Sequence, residues 1–154
     1  TLGEFGNFYS CLSYGVRREV SIKLGFHQPS DSDAFLTKKI IFAIKELRNA
    51  VAHNDVIFDT RFSRSSIDKS LSSSLEIVTG IKSITFKSIT DYIILVVYLL
   101  KCFGVPKGDM RRFVAEFQDN IETLRKQIPT SLFARIVLTD TRPKLKSLQE
   151  YIRK

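Results

Sequence analysis

Apolar side chains recur at helical spacing along most of this chain. Leu2, Phe5, Tyr9 and Leu12 follow a Thr1-x-x-Glu4 capping-box pattern, which predicts a helix at the start. A short basic helix is expected over 16–24, ended by Gly25, before the loop His27-Gln28-Pro29-Ser30. Asp31, Ser32 and Asp33 then offer caps and acidic first-turn charges to a long helix. Its apolar stripe is Leu36, Ile40, Ile44, Leu47 and Val51, and it is expected to end near His53-Asn54-Asp55.

The pattern is mixed over 56–66, with Arg61 and Arg64 expected on an exposed loop. Ile67, Leu71, Leu75 and Val78 predict another helix, stopped by Gly80. Its four serines make it a weak helix former that must lean on packing. The stretch 81–86 is ambiguous, a short extended piece being one reading. An apolar core helix follows over 88–103, with Gly104, Pro106 and Gly108 marking a turn after it. Met110, Phe113, Val114, Phe117, Ile121 and Leu124 form the stripe of a second strong amphipathic helix over 109–127, closed by Pro129. A short helix at 131–138 and a terminal one after Pro143 complete the chain. The expected fold is all-α: a single domain over 1–154, a bundle of five to seven helices.

Composition narrows this picture. A chain of 154 residues, 44% hydrophobic and 26% charged, has ordinary globular balance and can bury a real core. Two cysteines, Cys11 and Cys102, exclude a disulfide-rich scaffold and a four-thiolate metal site. Both lie in apolar helical stretches, where Cys is expected to act as a small hydrophobe. Two histidines exclude a three-histidine metal site, and no metal or cofactor is expected. The unbroken apolar run Tyr92 to Leu100 is nine residues long, whereas a spanning helix needs about 20. With no segment resembling a signal peptide, the expectation is a cytoplasmic protein without a membrane partner. The chain opens on Thr1 rather than Met, which reads as the C-terminal part of a longer protein.

Charge points toward an acidic partner. The formal net charge is +8, and residues 101–154 hold 12 basic and 6 acidic side chains, so +6 of it lies there. Gly-rich phosphate loops, zinc helices and serine-nucleophile elbows are absent. What stands out is Glu46-Leu47-Arg48-Asn49-Ala50-Val51-Ala52-His53-Asn54 at the end of the long helix. Asn49 and His53 are four apart and share a face, so the amide can orient the imidazole. Arg48 and His53 are five apart, about 140° around an ideal helix, and converge only if Arg48 reaches along the helix or its last turn is distorted.

These residue types suit RNA. A ribonuclease can use the substrate's own 2′-OH as nucleophile and then needs neither metal nor protein nucleophile. It needs a group that moves protons near neutral pH, for which histidine is suited, and a fixed cation against the phosphorane-like transition state. A plain structural role competes with this reading, because a histidine at a helix end also interacts well with the last carbonyls. Lys45, Arg61, Arg64, Arg111 and Arg112 are candidates for holding RNA phosphates, although scattered basic residues are commonly a solvated face. His27, Tyr92 and Tyr98 are expected to be structural.

The string Leu47-Arg48-Asn49-Ala50-Val51-Ala52-His53-Asn54 resembles the Arg-Asn-x-x-Ala-His signature of HEPN domains. More narrowly it is similar to the Abi family of bacterial abortive-infection proteins, the AbiD/AbiF-like group. The opening Leu2-Gly3-Glu4-Phe5-Gly6-Asn7-Phe8-Tyr9 also resembles the family's helix ahead of its motif. The resemblance implies a HEPN-like bundle and a metal-independent endoribonuclease acting in phage defence. Its catalytic residues then fall on Arg48, Asn49 and His53. Family chains are longer and often carry a further His or basic residue where this chain has Asn54-Asp55. The resemblance also implies a homodimer with RNA as substrate, and admits an antitoxin-like protein or RNA inhibitor. A two-fold pair would supply Arg48 and His53 twice, giving both a base and an acid. The competing readings are a non-catalytic RNA- or protein-binding module and a plain helical interaction domain.

Overall fold

The computed structural model describes residues 1–53, 62 and 67–154. Within them the chain is all-helical and without strands. Eight helices follow in order: α1 (Leu2–Cys11), α2 (Tyr14–Lys23), α3 (Leu36–Ala52), α4 (Lys69–Thr79), α5 (Ile89–Cys102), α6 (Lys107–Gln127), α7 (Thr130–Ile136) and α8 (Thr141–Arg153). The expected five to seven helices is therefore an undercount among the described residues. The short elements do not fuse with their neighbours, because extended residues separate them. Leu12 (ψ 150°) and Ser13 (ψ 157°) part α1 from α2. Ile128 (ψ 155°) and Pro129 (ψ 142°) part α6 from α7.

Several boundaries follow from local chemistry. The Thr1 hydroxyl accepts from the Glu4 amide while the Glu4 carboxylate turns back to the Thr1 nitrogen, closing the capping box. Gly25, Gly80 and Gly104 all take left-handed φ near the ends of α2, α4 and α5, a conformation glycine adopts without strain. α3 starts later than its acidic run suggests. Its first turn is nevertheless capped from upstream, where the Asp31 Oδ1 accepts from the amides of Phe35 and Leu36, each at 3.1 Å.

The α3 stripe also needs a correction at its end. Leu36 and Ile40 are buried, but Val51 is 59% exposed and Ala50 fills the core position instead. The steps of four advance the stripe about 40° each and the one step of three returns about 60°, so Val51 stands about 60° from Leu36, off the buried face. Cys11 departs from expectation as well, standing exposed at the end of α1, whereas Cys102 is half-buried.

α5 is the central helix, with nine of its residues buried. It packs on α3, α6 and α8. Phe62 lies buried against the Tyr92 ring, centroids 4.3 Å apart, and Phe86 meets the same ring edge-on at 5.1 Å. Tyr92 and Tyr98 are thus packing residues, as the apolar run implies.

The polar centre of this core is Asp91, which has no exposed surface. Its Oδ1 meets Lys144 Nζ of α8 at 2.7 Å, and the same ammonium pairs with Asp140 at 2.8 Å. Its Oδ2 accepts from the amides of Thr85 at 3.0 Å and Phe86 at 2.9 Å. The 81–86 segment is consequently not a strand. It is a loop hung on side chains, with Glu76 accepting from the Ile84 amide and left-handed φ at Ser83 and Phe86.

Burial draws the Lys144 ammonium toward deprotonation, but its hydrogen bonds to Asp140 and Asp91 outweigh that and hold its pKa above the ordinary 10.5. A lysine with a raised folded pKa contributes stability that is complete below the unfolded value. That contribution disappears as pH rises beyond 10.5 through the folded value. Lys144→Met leaves the Asp91 carboxylate buried and unpaired, and is expected to cost about 3–5 kcal/mol in urea unfolding at pH 7. The wild-type advantage over this variant should shrink above pH 10.5. A variant within about 1 kcal/mol of wild type would show the pair to be dispensable.

Candidate functional site

The motif residues sit on the last two turns of α3, on the side away from the core. α1 runs antiparallel across this side, with Gly3 beside Lys45 and Gly6 beside Phe42. The approach is close because both α1 contacts lack a side chain. A Cβ on Gly6 would come within 2.6 Å of the Phe42 ring, and one on Gly3 within 3.4 Å of Lys45 Cε. Farther along, the buried Tyr9 hydroxyl lies 2.9 Å from the carbonyls of both Arg17 and Ala34, pinning the other end of α1.

This crossing leaves a cleft of about 290 Å³ between the start of α1 and the end of α3. Thr1, Leu2 and Gly3 form one wall, and Lys45, Arg48 and Asn49 the other. Arg48 is exposed and its Nη1 donates to Asn49 Oδ1 at 3.1 Å. Lys45 extends over the Phe42 ring, 5.4 Å from its centroid. Neither cation has an acidic partner among the described residues. Two cations without an acidic partner among the described residues suit an oxyanion, and the Arg48 fork can hold one bidentately.

His53 lies elsewhere. It is the exposed C-cap of α3, and its own amide donates to the Asn49 carbonyl at 3.0 Å. The last turn of α3 is regular, so no distortion brings the imidazole round to Arg48, and His53 is not among the residues lining the cleft. The Asn49 side-chain Oδ1 accepts from Arg48, so the side-chain amide orients the guanidinium. Of the remaining phosphate candidates, Lys45 belongs to the cleft. Arg111 and Arg112 are exposed on α6, where Arg112 pairs with Asp109 at 3.1 Å, and they do not line the cleft. Arg61, Arg64, Asn54 and Asp55 lie outside the described residues. His27 is half-buried in the loop after α2.

Sequence reasoning did not single out Gly3 and Gly6 as the residues that set the cleft's width. Their signal was visible, two glycines three apart on a helix that otherwise carries large side chains. Among the described residues no group of three His, Cys, Asp or Glu is placed to hold a metal ion, and no helix is long and apolar enough to cross a membrane. The chain matches no family model, no curated protein and no solved structure with which it was compared.

Because the α1–α3 crossing depends on a missing side chain, Gly6→Leu is expected to destabilise the protein by about 1–3 kcal/mol in urea unfolding. Gly15→Ala, at a helical glycine with open space around it, should be neutral or slightly stabilising. Equal effects at the two positions would refute close packing at Gly6.

Proposed function

We propose that this protein is a metal-independent endoribonuclease of the HEPN type, from a bacterial abortive-infection system of the Abi family. The observation that carries the reading is the Arg48–Asn49 pair held at 3.1 Å on an exposed cleft with Lys45 beside it. In this reading the cleft receives a phosphodiester. Arg48 neutralises the charge that develops on phosphorus, Asn49 fixes the guanidinium, and Lys45 holds a neighbouring phosphate.

The bond-making step uses the substrate. A base removes the proton from a ribose 2′-OH, the oxygen attacks the adjacent phosphorus, and the P–O5′ bond breaks as an acid protonates the departing oxygen. The products are a 2′,3′-cyclic phosphate and a 5′-OH. His53 is the proton-transfer group of this scheme. It stands about 140° from Arg48 around the helix, so the His53 that serves a given Arg48 is best supplied by a second copy across a two-fold axis. The working unit is then a homodimer in the cytoplasm, with RNA as substrate and an antitoxin-like protein or RNA as its inhibitor. The basic excess after residue 100, Arg111 and Arg112 included, supplies salt-sensitive affinity for the RNA backbone.

A second reading has its own observation. His53 lies outside the cleft that holds Arg48, which favours a module that binds RNA without cutting it.

The two readings separate in one assay of single-stranded RNA with excess EDTA. The nuclease reading predicts cleavage by the wild-type chain, reduced at least about 100-fold by either Arg48→Ala or His53→Ala. RNA binding that is lost in Arg48→Ala but retained in His53→Ala, with no cleavage by any form, establishes the binding module instead. Cleavage abolished by EDTA contradicts both.

A further inference from the structure

The C-terminal end of the molecule carries a second concave site, independent of the Arg48 cleft. α7 is a seven-residue helix with no fully buried residue, in contact with α6 and packed on the core through the half-buried Phe133. Beneath it lies a cleft of about 320 Å³, within the size range of small-molecule sites. Ile121, Phe133, Val137 and Leu138 give it apolar walls, and Arg125 and Arg142 stand at its edge. A further cleft of about 350 Å³ continues past Arg142 and shares Ile121 and Thr141 with the first.

The charges at this edge do not cancel. Arg142 Nη2 donates to Glu122 Oε1 at 2.6 Å, and Arg125 Nη1 lies 3.6 Å from the other oxygen of the same carboxylate. Two guanidiniums therefore share one acid, and Lys126 adds a further positive charge near the same carboxylate, so the edge stays cationic. A guanidinium has five N–H donors, and Glu122 occupies a single nitrogen of Arg142. Arg142 is well exposed and lines the cleft together with these aliphatic and aromatic side chains.

We propose that this cleft binds a small amphipathic monocarboxylate. The apolar body lies between Ile121, Phe133, Val137 and Leu138, and the carboxylate pairs with Arg142 and Arg125. The uncompensated positive edge matches an anion, and the planar fork matches a carboxylate. The apolar walls reject a purely polar anion, because burying them against it recovers no hydrophobic free energy. This assignment does not rest on the RNA reading.

Calorimetric titration of the full chain with decanoate tests it, with decanamide as the uncharged analogue. Saturable one-to-one binding of decanoate is expected, at least about ten-fold tighter than decanamide. Arg142→Ala should weaken decanoate at least about ten-fold and bring it level with decanamide. Ala134→Trp, which fills the cleft from an exposed helical position, should abolish binding. Phe8→Ser, on the exposed apolar face of α1, should leave it unchanged. The proposal is overturned if decanoate shows no saturable binding. It is equally overturned if decanoate and decanamide bind alike, if Ala134→Trp binds like wild type, or if Phe8→Ser removes binding.

Discussion

Asp91 is a carboxylate without exposed surface, set in the first turn of the most buried helix. Such a group costs several kcal/mol of desolvation unless every oxygen is matched. Both are. One oxygen takes the Lys144 ammonium and the other takes two backbone amides. The position at a helix N-terminus adds a favourable dipole. Meeting that demand ties three pieces together: the loop before α5, α5 itself, and α8, which is 53 residues away in sequence. The hydrophobic core supplies most of the driving force, and Lys144 enters it beside the buried Leu145, Leu148 and Ile152 of α8. The loop at 81–86 has no ladder of its own and is arranged by the same carboxylate.

The candidate site hangs on that core through α3. The buried stripe of α3 faces α5, which obliges the opposite side to accept α1. Tyr9 anchors one end of α1 by its hydroxyl, and the absent side chain of Gly6 lets the rest lie close. The cleft is the gap left where α1 begins and α3 has two more turns to run. Arg48 is therefore presented by packing rather than by a mobile loop, and Asn49 holds its guanidinium on the same rigid helix. His53 inherits a different direction from the same geometry. Five residues of regular helix place it on the other flank, which is why the account assigns its catalytic role to a dimer.

Much of the helical layout was legible because its signals are local. The Thr1–Glu4 box, the stop glycines and the apolar run at 92–100 each act within a few residues. The partners of Asp91 were not legible. An aspartate ahead of an apolar run and a lysine in a polar terminal helix look like two solvated charges until the fold brings them together. The shift from Val51 to Ala50 was missed because a count of four-residue steps ignores their accumulated rotation. At the site, the sequence put Asn49 and His53 on one face with the amide set to orient the imidazole, whereas the Asn49 Oδ1 accepts from Arg48 instead. It left open whether Arg48 and His53 converge. The periodicity marked each short helix separately, and the total of five to seven fell short of the eight that form among the described residues.

The central claim is a reaction in which the substrate's own 2′-OH attacks phosphorus, so it is tested most directly at the atoms of the product. The decisive substrate is a DNA oligonucleotide carrying one ribonucleotide, incubated with the wild-type chain in EDTA and analysed by mass spectrometry. The account predicts a single cut, 3′ to the ribonucleotide, leaving a 2′,3′-cyclic phosphate on one fragment and a 5′-OH on the other. An intact oligonucleotide, cuts between deoxynucleotides, or a 5′-phosphate at the break would contradict it.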